Sequence, residues 1–221
     1  MTRPTKQTVL ARTRRHVASV LGADATGHDW HHTSRVVRLS EHIRRAEGGD
    51  RFVVTLAALL HDIADWKFHA GDTAEGPKRA RAWLEKQRVD GAVVSHVCGI
   101  IATLSYKGAG VPTPMATIEG RIVQDADRLD AMGAIGIARA FAYGGAKGRL
   151  MHDPSVRPRK HRTAKSYVSS TGTTINHFYE KLLLLGDRMN TKTGRTLAAG
   201  RHAFLLRFLR EFVKEWEPRL H

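Results

Sequence analysis

Three fragments of the sequence gather side chains able to hold a cation or move a proton. They are GHDWHHTSRVV at residues 27–37, LAALLHDIADWK at 56–67 and IVQDADRLDAMGAIGIAR at 122–139. His61 and Asp62 close a run that is otherwise almost wholly apolar. A buried, ionised Asp is costly unless it is paired or bound to a metal. Imidazole with carboxylate suits a divalent first-row ion. Adjacent helical side chains point about 100° apart, so this pair can flank one point at the inner end of a helix. The alternative is a hydrogen-bonded polar pair closing the helix. His32 begins an apolar stripe continued by Val36 and Leu39; the alternative there is a core histidine bonded to a carbonyl. Arg35 can point to the same mouth. Asp127 is flanked at i±4 by Val123 and Ala131, and Asp130 by Ala126 and Ala134. Periodicity therefore leaves both carboxylates open, while Asp125 falls on another face.

The elements that must position these residues are helical. Val9, Val17, Val20 and Leu21 mark an opening helix that Gly22 ends. A second spans about 28–46, with Val36, Leu39, Ile43 and Ala46 inward. Asp50 caps a third, RFVVTLAALLHD, apolar almost all round and so expected at the centre. Pro77 opens a fourth through Leu84. Others follow over about 91–105, about 115–132 and the stretch GAIGIARAFAYGG. Residues 144–172 are polar and basic, with Asp153 their one acid, and read as a long functional loop. There Arg157, Arg159, Lys160 and Arg162 could close over a polyphosphate as a lid, mobile without ligand. Two final helices, about 173–185 and 191–216, complete an all-α, compact multi-helix chain. In the first of them Phe178, Leu182 and Leu185 form a packing stripe, and Asn176 and His177 could bridge to the loop. No boundary requires a second domain, so residues 1–221 are taken as one, with a core over about 27–143.

Of 221 residues, 42% are hydrophobic and 26% charged, which excludes a disordered or collagenous chain. Thirty-six Lys and Arg against 21 Asp and Glu leave a net charge of +15, a field that attracts nucleotides, nucleic acid or acidic surfaces. Cys98 is the only cysteine. That excludes an intrachain disulfide and a cysteine-based zinc site, and fits a reducing compartment. The basic N-terminal stretch lacks an apolar run of signal-peptide length. The longest apolar stretch, Phe52–Leu60, is too short to cross a bilayer. The expectation is a cytoplasmic protein with no membrane partner. Neither GxGxxG nor GxxxxGK[ST] occurs, which removes support for dinucleotide and P-loop folds.

Taken in order, the strings HDWHHTSRVV, ALLHDIADWKF, IVQDADRLDAMGAIGIARAFAYGG and TINHFYEKLLLLGDRMNT resemble the HD-domain metal-dependent phosphohydrolases. Within them the likeness is to a branch of small bacterial nucleotide-hydrolysing proteins, and it runs from about residue 27 to Trp216. The resemblance implies an all-α fold and hydrolysis of phosphoester or phosphoanhydride bonds. It implies one divalent cation (manganese, magnesium, cobalt, nickel or iron) held by His32, His61, Asp62 and Asp127. Nucleoside triphosphate pyrophosphohydrolysis is the activity it implies most directly. Alarmone-hydrolysing members carry an acid four positions after the motif His, where Asp65 stands here. That carboxylate would orient or deprotonate the water, or else brace a ligating His. Arg35, Lys67 and Arg128 are candidate phosphate contacts, or else solvated charges on helix faces. Two-metal members add histidines on the helix after the motif; here only His96 stands there, so one metal is expected, with His96 a remote candidate. Two other functions compete. One is a nuclease or cyclic-nucleotide phosphodiesterase at the same site. The other is a non-enzymatic nucleic-acid-binding helical protein, which no RNP or zinc-finger motif supports.

Overall fold

In the computed structural model, which describes residues 3–22, 29–64 and 74–217, the run RFVVTLAALL forms the central helix. This helix, α3 (Arg51–Leu60), is buried from Phe52 to Leu60. Asp50 starts it: one carboxylate oxygen accepts from the Phe52 and Val53 amides at 2.6 and 3.2 Å. Around it pack α1 (Lys6–Leu21), α2 (Trp30–Glu47), α5 (Gly91–Leu104) and α6 (Ile118–Asp130). The amphipathic α4 (Glu75–Lys86) covers α5. The outer layer adds α7 (Gly133–Ala146), the short α8 (Ala164–Val168), α9 (Thr174–Glu180) and α10 (Lys192–Trp216). No strand occurs among the described residues, and none of their helices is long and apolar enough to cross a membrane.

Three local expectations change. The α1 stripe holds at Val9 and Val17, but Val20 is 45% exposed, because neighbouring helices cover only the first part of that face. Pro77 lies in the first turn of α4, two residues after the helix begins. The helix expected over 173–185 stops at Glu180, where Lys181 leaves helical geometry, and two 3₁₀ turns carry the chain on. Phe178, Leu182 and Leu185 are still buried as a stripe.

Two glycines set how α7 leaves α6. Gly133 has φ of 70°, which favours glycine. A Cβ on Gly136 would sit 2.2 Å from the Ala131 carbonyl oxygen. Without side chains there, the first turn of α7 lies directly against the end of α6.

The basic segment is an anchored wall. Its backbone bonds to α9 through Leu150 O and Met151 O, which accept from the Thr174 and Ile175 amides at 2.9 Å each. His161 O accepts from the Gly110 amide at 3.0 Å. Asn176 Nδ2 donates to Val156 O at 2.9 Å, the bridge expected of Asn176. The Arg159 amide donates to Glu180 Oε1 at 3.0 Å. These bonds replace the expectation of a free lid.

Candidate metal centre and its cavity

The end of α3, the first turns of α2 and the last turns of α6 meet at one point. Asp29 caps α2, its carboxylate accepting from the His32 amide at 2.7 Å, and this places His32 in the first turn, facing α6. His61 ends α3, and Asp62 follows in the turn. His32 Nε2 lies 3.2 Å from His61 Nε2, 3.3 Å from Asp62 Oδ2 and 3.6 Å from Asp127 Oδ1. His61 Nε2 lies 3.6 Å from Asp62 Oδ2 and 3.9 Å from Asp127 Oδ1. His32, His61 and Asp127 form a cluster able to hold a metal ion, and Asp62 closes it from the α3 side.

The chemistry of this donor set fits a cation. His61 Nδ1 lies 2.9 Å from the Ala58 carbonyl oxygen, which can only accept. The proton is therefore on Nδ1, and Nε2 presents a lone pair. His32 Nδ1 lies 2.7 Å from Asp130 Oδ2. Burial opposes ionisation of Asp130, but the bonds from His32 and Arg35, with Arg139 beside them, hold its carboxyl well below the usual range. Asp130 thus accepts, and in the neutral ring of His32 the lone pair is on Nε2. With both rings neutral, two imidazole lone pairs and two carboxylate oxygens converge, and a proton on His32 Nε2 is held by Asp62 in the place a cation would take. Burial disfavours charge on His32, yet the bonds to Asp130 and Asp62 outweigh it and raise its pKa. A positive charge is stabilised at this point. First-row metal–ligand bonds of about 2.1 Å put adjacent octahedral ligands about 3 Å apart, near the shorter separations here.

From the carboxylates a cavity of about 600 Å³ opens between α6, α7, α9 and the basic segment. Asp62 and Asp127 stand at one end. Arg128, Arg139, Lys147, Arg149 and Lys181 supply its positive charge, and Tyr106, Tyr143 and Tyr167 its aromatic surface. Tyr106 donates to Glu180 O at 3.0 Å, and burial pushes its hydroxyl up to about 12.

The other expected residues divide. Arg35 binds Asp130 through Nε at 2.7 Å and Nη2 at 3.1 Å, and does not line the cavity. Arg128 lines it, but Nη2 donates to Thr113 Oγ1 at 2.8 Å and Nη1 to Arg188 O. Burial brings its guanidinium down to about 10. Asp65 and Lys67 lie outside the described residues. His96 is apart from the centre, bonded to Thr117 Oγ1 at 2.9 Å and 3.7 Å from Glu119. Arg157, Arg159, Lys160 and Arg162 are exposed and do not line the cavity. Sequence reasoning gave no role to Arg139, although it lies inside the fragment IGIAR.

Comparison with known proteins gives the family. Residues 29–132 match the HD domain family model. The uncharacterized protein YpgQ of Bacillus subtilis (strain 168) is 39% identical over 204 residues, 91% of each chain. A crystal structure from Bacillus thuringiensis, described as an HD-superfamily hydrolase, aligns with TM-score 0.73 and 44% identity over 97% of this chain and 100% of that one. The crystal structure of Bacillus subtilis YpgQ in complex with ADP aligns with TM-score 0.71 and 33% identity, covering 95% and 98% of the two chains.

Proposed function

We propose that this chain, which belongs to the HD superfamily of metal-dependent phosphohydrolases, acts on nucleotides and cleaves a phosphoanhydride bond of a nucleoside triphosphate. The observation that carries this reading is the cavity: it runs from the metal-site carboxylates past basic side chains to three tyrosines. Such a sequence of surfaces suits phosphates at one end and a planar base at the other. The ADP complex of the Bacillus subtilis relative supports it.

His32, His61, Asp62 and Asp127 are the residues to hold one divalent ion, which leaves coordination positions for water and a phosphate oxygen. When bound, the ion lowers the pKa of its water from 15.7 toward about 7 and polarises the phosphoryl group. Two carboxylates neutralise M²⁺, so attraction for the anion falls to the basic lining. Asp130 and the Ala58 carbonyl fix the two imidazoles with Nε2 toward the ion. Asp65 is retained as the candidate to orient or deprotonate the water, and Lys67 and Arg128 as candidate phosphate contacts.

The test is a screen of manganese, magnesium, cobalt, nickel and iron against nucleoside triphosphates, cyclic nucleotides and single-stranded RNA. Release of pyrophosphate from a triphosphate is expected. Turnover of only cyclic nucleotides or RNA would move the chain to the competing reading at the same site.

The exposed Arg157, Arg159 and Lys160 act at a distance from the cavity, by steering. Neutralising all three together is expected to raise KM for a triphosphate at low salt and to flatten its salt dependence. kcat and metal affinity stay as they were. Unchanged kinetics at low and high salt would take the segment out of substrate capture.

A further inference from the structure

We propose that Arg139 grips the substrate phosphate beside the metal, and that Asp130 couples this grip to the orientation of His32. The proposal rests on the phosphohydrolase reading above and names the side chain that reads the phosphate at that site.

Asp130 is 1% exposed and accepts from three side chains. His32 Nδ1 reaches Oδ2 at 2.7 Å, and Arg35 takes both oxygens at 2.7 and 3.1 Å. Arg139 donates through Nη1 alone, to Oδ2 at 3.0 Å. One carboxylate thus holds two guanidinium groups, and the trio keeps a net positive charge. The two arginines differ in what remains. Arg35 has spent a fork of two donors and lies off the cavity. Arg139 has Nε and Nη2 without an acceptor among the described residues, and it lines the cavity together with Asp62 and Asp127.

A guanidinium presents its donors in a rigid fork that matches two phosphate oxygens. Arg139 can offer that fork to the cavity while Nη1 stays on Asp130. The backbone is shaped for this. Gly133 and Gly136 let α7 start against the end of α6, which lays Arg139 over the carboxylate of Asp130. Phosphate contact and metal-ligand orientation then share one buried anion. Removing Arg139 weakens phosphate binding alone; removing the charge of Asp130 disturbs both.

The test uses the full chain loaded with manganese and titrated with inorganic pyrophosphate by calorimetry, with manganese affinity measured separately by electron paramagnetic resonance. Arg139→Ala is expected to weaken pyrophosphate binding on the order of tenfold to a hundredfold, the range for losing hydrogen bonds to a charged group. Manganese affinity should hold, and millimolar guanidinium should restore much of the binding. Arg139→Lys should weaken it as well, since an ammonium is a compact point charge without the planar fork that spans Asp130 and two phosphate oxygens at once; it carries the comparison if the alanine variant fails to fold. Asp130→Asn should weaken both manganese, about tenfold to a hundredfold, and pyrophosphate. Wild-type pyrophosphate affinity in Arg139→Ala or Arg139→Lys overturns the grip, as does failure of the loaded wild type to bind pyrophosphate. Unchanged manganese affinity in Asp130→Asn overturns the coupling. Arg139-dependent pyrophosphate binding in a protein that hydrolyses no nucleotide supports the grip and removes the nucleotide reading instead.

Discussion

Asp62→Ala removes the metal and the phosphohydrolase activity together. Asp62 Oδ2 stands 3.3 Å from His32 Nε2 and 3.6 Å from His61 Nε2, close enough for all three to share one ion. Residues that merely brace metal ligands cost about 10–100-fold in affinity when mutated, so a direct ligand should cost more than a hundredfold. Lewis-acid stabilisation is worth several kcal/mol, so turnover should fall by about 10³-fold or more. The fold should survive. Asp62 stands in the turn after α3 with its side chain 14% exposed, and Asp127 and Asp130 still face His32 when it is removed. Wild type at 100 times the metal Kd gains about 2.7 kcal/mol of stability from binding. The variant should show no such gain in a melting experiment with added manganese, and elemental analysis should find it empty. A variant with full metal occupancy would refute the ligand assignment.

The choice between Asp127 and Asp130 shows what the sequence made legible and where it stopped. Apolar neighbours at i±4 flagged both, and both do face His32. Asp127 Oδ1 approaches Nε2 at 3.6 Å, while Asp130 Oδ2 takes Nδ1 at 2.7 Å. The two carboxylates lie about a turn apart on α6 and address opposite edges of one imidazole. A criterion that reads only which face a residue occupies cannot separate them. The order of motifs favours Asp127 as the candidate ligand, and it is Asp127 that lies in the cluster with His32 and His61. Arg139 was invisible for a different reason. Its role depends on the contact of Gly136 with the Ala131 carbonyl, and no periodicity reports a close approach between two helix ends. The basic segment was legible as polar and long, but its anchors are main-chain groups such as the Thr174 and Ile175 amides, which leave no trace in residue type. The central helix was the easiest reading, because burial on all sides demands an apolar residue at nearly every position.

Asp125→Ala should unfold the protein more readily while sparing the metal. Asp125 is fully buried, one residue of a segment whose other two aspartates face the centre. Its Oδ1 accepts from the Asn190 amide and Nδ2, each at 2.8 Å. Its Oδ2 accepts from the Thr191 amide at 2.8 Å and the Thr191 hydroxyl at 2.7 Å. Thr191 is the N-cap of α10, so this carboxylate both satisfies the loop and places a negative charge at the positive end of the longest helix. The fit is close: a Cβ on Gly194 would meet Asp125 Oδ2 at 2.4 Å. Truncation strands buried donors at about 1–3 kcal/mol each, with less than additive total. A loss of about 3 kcal/mol is expected, which for a chain of this size lowers Tm by roughly 6–12 °C. Manganese affinity of the folded fraction should match wild type, because Asp125 turns away from His32 toward α10. Asp127→Asn should show the reverse, with metal lost and the metal-free Tm held. If Asp125→Ala melts as wild type does and loses its metal, the ligand on α6 has been placed on the wrong face of that helix.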